Sequence, residues 1–186
     1  MSALLRFHSV ACVRGGRLLF EDLDLELGAG EAVQLTGPNG SGKSSLIRLA
    51  AGLLRPAAGR IERGGRAALA DEHLALDREM PLGRGLAFWN TGAEPKEAMD
   101  TMGLGNLAAI PVRLLSTGQA RRARLARVIA SAAPLWLLDE PLNGLDADGV
   151  GALTKAIRNH REAGGAVLAA SHQPLGDDWR QLELGR

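Results

Sequence analysis

Gly37-Pro38-Asn39-Gly40-Ser41-Gly42-Lys43-Ser44 is the stretch from which the rest of this chain can be read. Before it, Glu31 to Thr36 reads as a strand; after it, Leu46, Ile47 and Leu49 fall at helical spacing and stop near Gly52. A G-x-x-x-x-G-K-[ST] run between a strand and a helix is a phosphate cradle. Its glycines let backbone N–H groups curl toward an anion, and the helix adds its positive N-terminal end. Lys43 has the reach for β- and γ-phosphates, and Ser44 offers a hydroxyl to Mg²⁺. Gly37 to Ser45 are therefore candidate nucleotide contacts. A chance glycine-rich turn is the competing reading, and the flanking elements argue against it.

Further along, Leu135-Trp136-Leu137-Leu138 is a short apolar run of the kind buried in parallel sheets, and it ends in Asp139-Glu140-Pro141. An aspartate at the end of such a strand can hold Mg²⁺, usually through water. Glu140, one residue on, is placed to polarise an attacking water as general base. Between the two motifs, Leu115-Ser116-Thr117-Gly118-Gln119 opens a helix running through Ala130. Ser116 and the amides near Gly118 start that helix, which makes a second anion site or a plain helix cap. Asp146 caps a later helix that carries Leu153, Ala156 and Ile157 and ends at Gly164-Gly165.

The remaining elements set the fold class. Leu23, Leu25 and Leu27 alternate with Asp24 and Glu26, as in a half-buried strand. Ile61 and Ala67 to Ala70 are weaker strand candidates, Ala166 to Ala170 a buried strand, and Gln181 to Leu184 a last edge strand. Strands alternating with helices indicate a mostly parallel sheet. Asp71 to Val112 mixes charges, Gly and Pro with helical stretches and has no strong strand, so it reads as an inserted helical subdomain. Phe88 and Trp89 are expected in that subdomain's core, or else on a groove that grips a partner. Arg121, Arg122, Arg124 and Arg127 are expected on the solvated face of their helix rather than in a nucleic-acid patch, because the formal net charge is only +1.

Composition narrows the setting. With 186 residues, 46% of them hydrophobic, the chain can bury one sizeable core, so one domain is expected. The single cysteine, Cys12, allows no internal disulfide and fits a reducing compartment. Met1 to Arg6 does not read as a signal peptide, and no run approaches the ~20 apolar residues of a membrane span, so work at a membrane would need a partner.

Taken in order, these motifs resemble those of the ABC ATPases over almost the whole chain. Leu115 to Gln119 is similar to the signature L-S-G-G-Q, with Thr117 in place of the first glycine. Asn143-Gly144-Leu145-Asp146 looks like the family's D-loop, and His172, after the strand Ala166 to Ala170, resembles its switch histidine. The resemblance implies an α/β fold: a P-loop NTPase (RecA-like) core with an N-terminal antiparallel β-part and a small helical insertion, at about residues 71–130 of one domain spanning 1–186. It also implies a homodimer in which ATP lies between the phosphate loop of one subunit and the signature (Ser116, Thr117, Gly118, Gln119) of the other. Lys43, Glu140 and His172 would be catalytic, and Ser44 and Asp139 would hold Mg²⁺. Two positions depart from the family. His73 stands where a glutamine contacting Mg²⁺ and water is expected, and Arg14 where an aromatic ring usually stacks on adenine.

A closer resemblance lies in Ile110 to Gln119, in Ala133 to Pro141 and in Ser171-His172-Gln173-Pro174-Leu175, which are similar to the CcmA family. That family implies the ATP-hydrolysing subunit of the cytochrome c maturation system, concerned with haem export and release of haem-loaded chaperone. It would be peripheral on the cytoplasmic face of the bacterial inner membrane, with integral partners of the CcmB, CcmC and CcmD type and no nucleic acid. The residues themselves show no haem ligation. The alternatives are a soluble, non-transport ABC ATPase, such as an iron–sulfur assembly type, and a nucleotide-gated binding module without useful turnover.

Overall fold

The computed structural model describes residues 3–89 and 94–185. Residues 90–93 of the expected helical insertion, and the start of the N-terminal stretch read above, lie outside the described residues. Two sheets organise the chain. The first is antiparallel, in the order β2–β1–β4, from β1 (Leu5–Arg14), β2 (Arg17–Leu27) and β4 (Ala58–Arg63). The second has five parallel strands in the order β5–β6–β7–β3–β8. Its members are β3 (Ala32–Thr36), β5 (Ala67–Ala70), β6 (Leu135–Asp139), β7 (Ala166–Ala170) and β8 (Arg180–Glu183). Helix α1 (Lys43–Ala50) follows β3, and α5 (Ala147–Glu162) joins β6 to β7. Between β5 and β6 lie α2 (Leu82–Trp89), α3 (Pro95–Thr101) and α4 (Thr117–Ala130).

The central strands β3, β7 and β6 are buried on both faces, and side-chain alternation divides them between two cores. Leu135 and Leu137 of β6 face a core shared with α1 and the antiparallel sheet, whereas Trp136 and Leu138 face one shared with α2, α3, α4 and α5. β7 divides the same way, Leu168 against Val167 and Ala169. Burial on both faces is why β6 and β7 read as unbroken apolar runs rather than as alternating ones.

The longest element not evident in the sequence is β1. Its buried positions are Leu5, Phe7, Val10 and Cys12, so the period of two breaks between Phe7 and Val10. The break is a bulge: Ser9 has φ 44° and its N–H donates to Asp24 Oδ1 at 2.9 Å. Register slips there against both neighbours. Gly59, at φ 78°, lies against the bulge's carbonyls of His8 and Ser9, where a Cβ would clash.

Helix α4 departs from expectation most. Arg124 and Arg127 are not on a solvated face; they are 8% and 7% exposed. The Arg124 guanidinium donates to the carbonyl of Asp71, and Arg127 to that of Leu69, both at the end of β5. Arg127 also lies over the Trp89 ring, 4.9 Å from its centroid. Arg121 donates to Gly144 O at 3.2 Å, while Arg122 pairs with Asp146 and reaches Met102 O at 3.4 Å. Arginine stems bury like aliphatic chains while the head seeks acceptors, and strand and loop ends supply free carbonyls. The aromatic pair is also split. Trp89 is half-buried, with its indole N–H on Ala75 O at 3.1 Å, but Phe88 is 80% exposed and is not core. Helical spacing puts neighbours 88 and 89 on different faces of α2.

Arg127→Met keeps the stem but removes both the donor to Leu69 and the charge over Trp89. Urea unfolding of this variant should show a loss of about 2 kcal/mol.

Candidate functional site

In a parallel sheet, ligands gather beyond the carboxyl ends of the strands. Here β3, β7 and β6 are adjacent in space and end at Thr36, Ala170 and Asp139. Their continuations carry Lys43 and Ser44, His172, and Glu140. Strand order thus brings together residues separated by up to 129 positions in sequence.

The phosphate loop has the conformation its glycines permit. Gly37, Gly40 and Gly42 have φ of 128°, 79° and 108°. Gly37 also passes so close to Leu184 O of the β8 end that a Cβ would clash, and a Cβ on Gly42 would come within 3.1 Å of the Phe20 ring. Lys43 is 7% exposed; its Nζ donates to the carbonyls of Gly37 at 2.8 Å and Pro38 at 3.1 Å, so the ammonium sits in the mouth of the loop. Ser41 is buried beside it. Ser44 Oγ donates to Asp139 Oδ1 at 3.1 Å, which joins the first two motifs directly. Burial pushes the Asp139 carboxyl up; the Ser44 hydroxyl and the Arg48 charge oppose the shift.

Glu140 has φ 49°, a left-handed conformation uncommon outside glycine, and its N–H donates to Ala170 O at 2.9 Å. Its Oε1 lies 3.4 Å from His172 Nε2. A cavity of about 500 Å³ is lined by Leu19, Asn39, Gly40, Gly42, Lys43, Ser44, Ser45, Glu140, Asn143 and His172. A second, of about 540 Å³, shares Ser44, Glu140 and Asn143 with it and continues to Arg48, Glu72, Thr117, Arg124 and Asp139. Apart from Thr117, the signature is elsewhere. Ser116 caps α4, its Oγ accepting from Gln119 N at 3.2 Å while Gln119 Oε1 accepts from Ser116 N at 2.9 Å. Ser116, Gly118 and Gln119 line a third cavity, of about 320 Å³, with Gly144 and Asp146. Asp146 caps α5 through Gly149 N at 3.0 Å, and the Arg122 guanidinium holds its carboxyl below the ordinary range.

Two expected residues stand outside these cavities. His73 points into solvent beside Asp71, Nδ1 to Oδ2 3.6 Å, and the wall at this place is Glu72, facing Arg48 at 3.7 Å. Asp71 accepts from the N–H of His73 at 3.0 Å, a tight turn that puts Glu72 at the cavity rim. Arg14 lies exposed at the β1–β2 turn, paired in register with Arg17, and the lining residue from this hairpin is Leu19. Gln34 went unnoticed in the sequence. It is 3% exposed within β3, and its amide donates to Ser171 O at 3.1 Å and Gln173 O at 2.9 Å, the carbonyls either side of His172. Its signal is a polar residue at an otherwise apolar strand position.

The ABC transporter family model matches residues 20–143, two-thirds of the chain. This chain belongs to the ABC transporter family. A curated relative, the cytochrome c biogenesis ATP-binding export protein CcmA of Sphingopyxis alaskensis, is 56% identical over 100% of this chain and 98% of its own length. The protein of the same name from Zymomonas mobilis is 57% identical over 98% of this chain and 85% of its own. Within ABC transporters the chain thus falls in the CcmA family, and it is an ATP-binding, ATP-hydrolysing subunit. Solved structures share the fold. An ATP-binding subunit of an ABC transporter superposes with TM-score 0.86 at 22% identity, covering 97% of this chain and 85% of the other. A dimeric ATP-binding cassette bound to ADP and Pi superposes with TM-score 0.82 at 20% identity, covering 98% and 97%.

Glu140→Gly should relieve the left-handed strain while deleting the carboxylate. Its melting temperature should equal or exceed that of the parent by calorimetry, with ATP hydrolysis lost. Gln34→Leu orphans two carbonyls, so denaturant unfolding should show a loss of about 3 kcal/mol. Its kcat should fall more than its KM rises, because the loop of His172 loosens while the phosphate loop does not.

Proposed function

We propose that this chain is the ATP-hydrolysing subunit of a cytochrome c biogenesis export complex. It sits peripherally on the cytoplasmic face of the bacterial inner membrane, as a homodimer under integral partners of the CcmB, CcmC and CcmD type, and its turnover serves haem export and release of haem-loaded chaperone. The observation that carries the enzymatic part is the Glu140 carboxylate facing His172 at 3.4 Å, in one cavity with Lys43 and Ser44. The names of the relatives supply the cytochrome c part.

In this reading the triphosphate lies along the amides of Gly37 to Ser45, and Lys43 turns from the loop carbonyls to the β- and γ-phosphates. Ser44 and Asp139 would hold Mg²⁺, which would neutralise charge that builds on the phosphates. Their oxygens suit a hard cation. Glu140 accepts a proton as water forms its bond to the γ-phosphorus, the bond to the bridging oxygen breaks, and ADP departs. His172 orients the γ-phosphate, and Ser116 to Gln119 of a second copy close over it. The placement of Ser116, Gly118 and Gln119 in a cavity apart from the phosphate loop within one chain supports that arrangement.

Among the described residues no helix is long and apolar enough to cross a membrane. Phe88, 80% exposed, borders an apolar cavity of about 390 Å³ with Leu74, Leu76, Met80 and Trp89. This surface suits an apolar helix of a membrane partner.

Glu140→Gln should bind ATP with little change and hydrolyse it about a hundredfold or more slowly in single turnover; equal rates would sink the enzyme reading. Affinity capture from membranes should recover integral partners with the parent chain and lose them with Phe88→Asp. Recovery of soluble proteins alone would sink the export reading.

A further inference from the structure

The mechanism above leaves Arg124 unused. It lies on α4 and borders the 540 Å³ cavity with Ser44, Asp139 and Glu140. It is 8% exposed, and its one hydrogen bond among the described residues goes from Nη1 to the carbonyl of Asp71. Its Nε is buried without a partner. The charges of Asp71, Asp139 and Glu72 favour the guanidinium from a distance, against the cost of burial. A buried guanidinium held by a carbonyl instead of a bidentate carboxylate retains much of its capacity to bind an anion.

The other charged groups on the wall are already engaged. Glu72 faces Arg48 at 3.7 Å, Asp139 accepts from Ser44 at 3.1 Å, and Glu140 faces His172 at 3.4 Å. Arg121, also on the wall, donates to Gly144 O at 3.2 Å. The cavity meets the phosphate-loop cavity at Ser44, Glu140 and Asn143, where the reading above places the γ-phosphate.

We infer that this second cavity is a holding site for orthophosphate, with Arg124 as its anchoring cation, and that the cleaved phosphate occupies it before leaving. The site rests on the hydrolysis reading and adds a place for the product. No covalent step is involved. The phosphate moves from the loop amides to a guanidinium on the same chain. Because α4 carries both Arg124 and the signature, the position of this helix relative to β5 and β6 sets whether the phosphate is held.

The test uses the full chain with MgADP and inorganic phosphate as the probe. In ¹⁵N spectra of the parent chain, phosphate should move the Arg124 Nε–H resonance saturably; an unmoved resonance at saturating phosphate would overturn the proposal without recourse to any variant. Arg124→Gln can still donate to Asp71 O but lacks the charge. The phosphate inhibition constant should rise about tenfold to a hundredfold, with ADP affinity within about twofold of the parent. Arg124→Lys should fall between the two. In single turnover, phosphate release should lag cleavage in the parent, and Arg124→Gln should shorten that lag, which separates cleaved from added phosphate. An unchanged inhibition constant or an unchanged lag would each overturn the site. Failure of the parent to bind MgADP would instead remove the hydrolysis reading on which the site rests.

Discussion

Burial of a parallel sheet on both faces is the constraint from which the site follows. A strand covered on both sides offers no side chain to solvent along its length, so it can present chemistry only where it ends. β3, β7 and β6 end side by side, and the phosphate loop, the His172 turn and the Asp139-Glu140 turn converge there. The hydrogen bond from Ser44 to Asp139 spans the width of β7 and marks how closely the outer two of the three ends approach. Shifting β6 by one residue would exchange Leu135 and Leu137 with Trp136 and Leu138 between the two cores, so packing also fixes the depth at which Asp139 emerges.

The helices between β5 and β6 are tied to this frame by the apolar core they share with β6 and β7 and by arginine heads on carbonyls. Arg124 and Arg127 reach the end of β5, Arg121 the loop after β6, and Arg122 both the end of α3 and the cap of α5. Such contacts are directional and can be exchanged for others at modest cost, whereas Ala123, Leu125, Ala126, Val128 and Ala130 hold α4 to the sheet through the apolar core they share with Trp136 and Leu138.

Much of the chemistry was legible in the sequence because it depends on residue type at short spacing. The glycine pattern before Lys43, the apolar run ending in Asp139-Glu140 and the Ser116–Gln119 capping box each carry their own local physics, and each appears at its expected element. Less was legible where a residue's meaning depends on what lies across from it. β1 was hidden because the Ser9 bulge breaks its alternation. The arginines of α4 look like a solvated stripe until the carbonyls of β5 are placed opposite them. Gln34 is an odd polar residue in a strand until the His172 loop is seen resting on it.

By itself, then, the sequence determined the element types, the phosphate loop and the acidic pair, because backbone conformation and short-range spacing are encoded in consecutive residues. Only the tertiary structure decided which cavity each side chain enters. It gave the lining place to Glu72 over His73 and to Leu19 over Arg14. It also set Glu140 against His172 and buried Arg124 on the wall it shares with Asp139. The physical reason is that side-chain direction at a turn, and the partner of a buried charge, are fixed by strand order and by contacts between residues far apart in the chain, which local sequence does not record.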